Sequence, residues 1–87
     1  MSEPVRLHYF AWVRERIGRA EEEVTLPPHV ATVTDLLGWL QGRGEGYAEA
    51  LKHPPTIRVA LDRRHAPHGT RIGNAREIAL FPPMTGG

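Results

Sequence analysis

The chain has 87 residues, 11 Lys plus Arg against 10 Asp plus Glu, no cysteine, and a formal net charge of +1. That length fits one small domain with a single modest core, and a charge balance so near neutral argues against a broad electrostatic grip on nucleic acid or an anionic membrane. The absence of cysteine excludes a disulfide framework, a thiolate metal site and a cysteine nucleophile, and a domain held by packing alone suits a reducing cytoplasm.

Met1-Ser2-Glu3-Pro4 leads straight into alternating residues, so no signal peptide is expected. No apolar run is long enough to cross a bilayer. Val5, Leu7 and Tyr9 alternate with Arg6 and His8, the period of a half-buried first strand. Phe10, Val13 and Ile17 then recur at helical spacing, and Gly18 suits a left-handed cap, so a short helix is predicted over 11–17. Trp12 falls on the side of Glu15 and Arg16 and is expected to be partly covered. After Glu21-Glu22-Glu23, Val24-Thr25-Leu26 reads as a second strand, antiparallel to the first, stopped by Pro27-Pro28. The acidic run reads as a solvated edge rather than a metal site, because successive strand residues point to opposite faces.

The clearest helix begins at Thr32. Thr32 can cap it, and Asp35 completes a version of the capping box. Val33, Leu36, Leu37 and Leu40 form one apolar stripe, which must outweigh a cost of about 1 kcal/mol for the internal Gly38. Gly42, Gly44 and Gly46 interrupt the helix, and residues 47–51 can add one more turn. Ile57, Val59 and Leu61 alternate as a third strand. Asp62-Arg63-Arg64-His65 reads as a reversal, either a solvated turn or a docking patch, and residues 65–72 have room for a short edge strand. Gly73-Asn74-Ala75 is a turn, and residues 78–81 form a last strand that Pro82-Pro83 terminates, since proline cannot donate to a ladder. The elements add up to a compact α+β domain, a mixed sheet with one main helix packed across one face. Its predicted span is 1–81, with a flexible tail over 82–87.

The tail, Phe81-Pro82-Pro83-Met84-Thr85-Gly86-Gly87, is the most informative segment. Two prolines stiffen its root, and six residues from Pro82 onward can reach about 20 Å. Glycines at the tip offer nothing to obstruct entry into a narrow cleft. The handle such a tail presents is its α-carboxylate, ionised at neutral pH because its pKa is about 3.5. An ionised carboxylate is a poor electrophile and needs activation, for example as a mixed anhydride with AMP. Gly42-Arg43-Gly44-Glu45-Gly46 fits neither a P-loop nor the dinucleotide fingerprint, so an ATP-using enzyme would have to act on this chain. Ser2 is the only serine, which leaves no Ser-His-Asp arrangement in prospect. His65 and His68 have a spacing that could approach one metal ion, but no carboxylate besides Asp62 lies near them in sequence, and no bound metal is expected.

Two segments carry a resemblance. Tyr9-Phe10-Ala11-Trp12-Val13-Arg14-Glu15-Arg16-Ile17-Gly18 and the ending Phe81-Pro82-Pro83-Met84-Thr85-Gly86-Gly87, separated by a helix opening Thr32-Val33-Thr34-Asp35-Leu36-Leu37, resemble the small, sulfur-carrier subunits of molybdopterin synthase, a ubiquitin-like β-grasp family. The resemblance implies that Gly87 is adenylated by a ubiquitin-activating-type partner that uses ATP, then converted to a thiocarboxylate by a sulfur-relay donor. The tail would enter the active site of a large synthase subunit and donate sulfur to a pterin precursor during molybdenum cofactor biosynthesis. A thiocarboxylate is itself a sulfur nucleophile. The catalytic side chains would belong to the large subunit, since the tail offers only Thr85 as a polar side chain. By the same resemblance, Phe10, Phe81, Pro82, Pro83, Met84, Thr85 and Gly86 would meet partners, a place in the core being the alternative for Phe10 and Phe81. His65 departs from the family, which usually places an apolar residue on that surface. Other readings remain open: a carrier for a different acceptor (thiamine thiazole, cysteine or tRNA), a protein modifier joined through Gly87 to lysines, or an RNA-binding module using Arg63, Arg64 and Arg71.

Overall fold

The computed structural model describes residues 4–83. In chain order the elements are β1 (Val5–Tyr9), α1 (Ala11–Ile17), β2 (Glu21–Val24), α2 (Val33–Gln41), α3 (Glu45–Ala50), a short 3-10 turn (Pro54–Thr56), β3 (Arg58–Leu61), β4 (Arg64–Ala66) and β5 (Glu77–Phe81). The strands form one mixed sheet in the order β2-β1-β5-β3-β4. β1 and β5 run parallel at its centre, and the pairs β1–β2, β5–β3 and β3–β4 are antiparallel.

Alternation sets the two faces. Leu7, Tyr9, Val59, Ile78 and Leu80 point to the helix side and are buried there against Val33, Leu36, Leu37 and Leu40 of α2. The expected apolar stripe is therefore the inner face of α2. Its start is held by the full capping box: the Thr32 hydroxyl accepts from the Asp35 N–H, and the Asp35 carboxylate accepts from the Thr32 N–H at 3.0 Å and the Ala31 N–H at 3.1 Å. Those backbone donors hold the Asp35 carboxyl below the usual carboxylate range. Gly38 lies on the exposed side of α2, where an added Cβ would meet nothing.

α1 occupies the predicted residues and ends on Gly18 at φ 93°, donating its N–H to the Arg14 carbonyl. That left-handed φ is where glycine escapes the Cβ penalty of other residues. α3 starts at Glu45, earlier than the predicted turn, and packs against α1 through Gly46. A Cβ at Gly46 would come within 2.5 Å of the Arg16 carbonyl oxygen, so the glycine that looked like a helix breaker permits a close helix approach. The reversal after β3 is a two-residue hairpin turn, with Asp62 and Arg63 at φ 47° and 72°, the positive values that tight hairpins require. Asp62 is held there by the Arg76 and Glu77 N–H groups, each 3.0 Å from its carboxylate. These donors lower its pKa, the Glu77 N–H first. The short edge strand is β4.

Two expectations are corrected at β2. The strand comprises Glu21–Val24 rather than residues 24–26, because its ladder with β1 sets Arg6 opposite Glu23 and His8 opposite Glu21. Leu26 is buried but lies beyond the ladder. The acidic run is also not solvated throughout: Glu21 and Glu23 are exposed, whereas Glu22 is buried.

Candidate functional site

The parallel pairing of β1 with β5 builds the functional end. Tyr9 lies opposite Leu80 in the register, and the Phe10 N–H donates to the Leu80 carbonyl at 3.2 Å. The next residues of the two strands, Phe10 and Phe81, are thereby brought side by side. Their rings stack 4.6 Å apart and 9° from parallel. Ala11, at φ 50°, turns the chain sharply from β1 into α1, a conformation that costs about 1 kcal/mol for a residue with a Cβ. Phe10 is left 41% exposed, the only large hydrophobic side chain so placed among the described residues, and Phe81 is half-buried. Neither ring belongs to the buried core.

Beside the rings lies a groove of about 500 Å³ over the outer face of the sheet. Ala60, Pro82 and Pro83 line it together with Arg58 of β3 and His65 of β4. Ala60 pairs with His65 across the ladder, and Arg58 pairs with Phe81, so these neighbours are fixed by backbone register. β5 ends at Phe81, and the half-buried Pro82 and Pro83 carry the chain out of the sheet along this groove. Met84, Thr85, Gly86 and Gly87 lie outside the described residues.

Chemically, the described part of this site offers apolar surface with two basic side chains beside it. Among the described residues no three His, Cys, Asp or Glu side chains gather as a metal site. His68 is occupied otherwise: its Nε2 lies 2.6 Å from the Ile57 carbonyl and, facing an acceptor, donates to it. A larger hollow, about 750 Å³, is lined by Pro4, Pro28, Arg71 and Arg76. It sits where β1 and β5 begin, at the end of the sheet remote from the tail.

A second polar assembly was not foreseen. Glu22 of β2 projects inward, where one carboxylate oxygen accepts from the Tyr9 hydroxyl at 2.7 Å and the Tyr47 hydroxyl at 2.5 Å. The other oxygen lies 3.3 Å from Arg19 and 3.4 Å from Arg43. Burial alone would raise the Glu22 pKa, but the hydroxyls of Tyr47 and Tyr9 and the two guanidinium groups outweigh it and hold the carboxyl below its ordinary value. Burial, reinforced by hydrogen bonding to Glu22, pushes Tyr9 well above the ordinary phenol range. Arg43 also lies over the rings of Trp39 and Tyr47. This cluster ties β1, β2, α2 and α3 together, and its connections turn inward rather than toward a ligand. Its sequence signal was available: on a strand, Glu22 shares its face with Val24.

A mixed five-stranded sheet, one main helix across one face and a chain leaving the central strand at the sheet's end define a ubiquitin-like β-grasp protein. Residues 7–87 match the ThiS family, and the chain belongs to that family. It is 34% identical over 79 residues to the molybdopterin synthase sulfur carrier subunit of Haemophilus influenzae, covering 91% of this chain and 94% of that one. Among solved structures it is similar to molybdopterin converting factor subunit 1 of Pyrococcus furiosus, at 26% identity and a TM-score of 0.72 over 95% of this chain and all of the other. It is also similar to small archaeal modifier protein 1 of Haloferax volcanii, at 27% identity and a TM-score of 0.68, with 93% and 98% covered. Among the described residues no helix is long and apolar enough to cross a membrane.

Proposed function

We propose that this chain is the sulfur-carrying small subunit of a molybdopterin synthase and works in the cytoplasm. The observation that carries the reading is its near full-length similarity to a sulfur carrier subunit, together with a tail root that leaves the sheet beside an open apolar groove. The Gly87 carboxylate attacks the α-phosphorus of ATP in a ubiquitin-activating-type partner, and pyrophosphate departs. A persulfide on a relay donor attacks the acyl carbon through its outer sulfur and AMP departs; a thiol then attacks the donor's sulfur, a donor–thiol disulfide forms, and the thiocarboxylate is released. The groove then docks the large subunit against Phe10 and Phe81 while Pro82 to Gly86 lead the thiocarboxylate into that subunit's active site. There its sulfur attacks an oxygen-bearing carbon of the pterin precursor, the C–O bond breaks and the oxygen leaves protonated, and water cleaves the resulting acyl–sulfur bond, leaving sulfur on the precursor and regenerating the carboxylate. The proton transfers fall to side chains of the large subunit.

The similarity to a small archaeal modifier protein favours a second reading, in which the same activated terminus acylates a lysine amine of another protein. One experiment separates the two. The chain is incubated with the adenylating enzyme of its own organism, ATP and a sulfur donor, and its intact mass is measured before and after the large subunit and precursor are added. Exchange of one oxygen for sulfur, reversed as the precursor gains sulfur, supports the carrier. An unchanged mass counts against it, and isopeptide-linked products in a lysate supplied with ATP identify the modifier.

A further inference from the structure

The outer face of the sheet divides into a paired half and an unpaired half. On β1 and β2, Arg6 lies 2.6 Å from Glu21 and 3.5 Å from Glu23, and His8 lies 3.0 Å from Glu77 of β5. On β3 and β4, the exposed side chains of Arg58 and His65 make no hydrogen bond or ion pair among the described residues. The one acid of that hairpin, Asp62, is spent on two backbone N–H groups. Arg58 and His65 stand at the edge of the same groove that Phe10, Phe81 and Pro82 line. An apolar centre with a polar rim is the anatomy of a protein–protein contact, and basic side chains on that rim are complementary to carboxylates.

We propose that Arg58 and His65 are specificity-determining residues of the docking surface, and that the tail-accepting large subunit presents carboxylates opposite them. This deepens the function proposed above and rests on it. The apolar centre supplies contact area, while Arg58 and His65 orient the partner so that the tail root meets its cleft. A protein surface fits better than RNA, because Phe10 and Phe81 stack on each other and the groove between them and His65 is lined by prolines.

The test is the dissociation constant for the large subunit of the same organism, measured for the wild type and for Arg58→Glu, His65→Glu and Arg71→Glu at two salt concentrations. Arg71 is also an exposed arginine, in the hollow at the far end of the sheet, so its reversal controls for overall charge. Arg58→Glu is expected to weaken binding about tenfold at low salt, with His65→Glu weaker in the same direction and Arg71→Glu within about threefold of wild type. High salt should shrink these differences. Circular dichroism and thermal unfolding verify that each variant is folded, and the glutamine variant at the same position serves in place of any that is not. Equal weakening by all three reversals, or none by Arg58→Glu, overturns the inference while the carrier function stands. No binding by the wild type overturns both, and RNA binding lost with Arg58→Glu while subunit binding is unchanged assigns the rim to RNA and overturns it.

Discussion

Two regions of this small domain use polar groups in opposite ways. Around Glu22 each carboxylate oxygen is engaged, both tyrosine hydroxyls have an acceptor, and the arginines reach inward. At the tail end, an exposed phenylalanine, a half-buried one and two basic side chains that make no ion pair among the described residues face outward. The core beneath both is continuous, so the difference does not come from one region being folded and the other loose. It comes from where interaction capacity is spent. Buried polar groups are expensive unless satisfied, and the Glu22 cluster meets that demand within the chain. At the groove, the apolar surface and the basic side chains beside it have no such demand met among the described residues, the pattern of a surface open to another molecule.

If that division is right, the ends can be broken independently. The largest effect belongs to Gly87. Its deletion, or addition of one residue after it, is expected to abolish thiocarboxylate formation in the adenylation assay while the melting temperature stays nearly unchanged. A large loss of stability would make the tail structural instead. Next is Glu22→Ala, which strands two tyrosine hydroxyls and removes the partner of two arginines. It should cost about 2–4 kcal/mol, a fall of roughly 10–25 °C in Tm for a domain this size, with little change in tail activation once folded. The pH dependence has a defined sign. Because the folded-state pKa of Glu22 is lowered, its ionised form contributes stability above the ordinary carboxylate pKa of about 4.3, and this is lost as pH falls through the folded value. Denaturant unfolding of wild type and Glu22→Gln should therefore show a stability gap at neutral pH that narrows in acid.

The two regions also differed in how much of each could be read beforehand. The tail end was legible because its signals are local: alternation into Phe10, Gly18 after a helical period, and two prolines ending a strand. α2 was legible for the same reason, from Thr32, Asp35 and four apolar positions. The Glu22 cluster was not, because its partners lie 13 and 25 positions away at Tyr9 and Tyr47. Three consecutive glutamates offer no contrast among themselves, and the contrast that Val24 supplies applies to Glu22 only when both belong to one strand, which the β1 ladder establishes. The basic rim lies between these cases. Arg58 and His65 were visible as residues, but their meeting at one groove depends on the pairings of Ala60 with His65 and Arg58 with Phe81.

Phe81 tests the comparison at the groove itself, since it belongs to the last strand of the fold and to the proposed docking surface at once. Its ring lies on Phe10 rather than among the core side chains. Truncation removes a surface stack and half-buried area, for which about 1 kcal/mol of folding stability is a reasonable cost. If the pair anchors a partner, the same truncation removes the aromatic centre of the contact, where binding energy concentrates. Phe81→Ala is therefore expected to weaken large-subunit binding tenfold or more, equivalent to about 1.4 kcal/mol, and to lower unfolding free energy by less than that. Measuring both on one preparation, by calorimetric titration and denaturant unfolding, decides the ranking. A larger loss in folding than in binding would return Phe81 to the core and leave Phe10 as the only aromatic anchor of the groove.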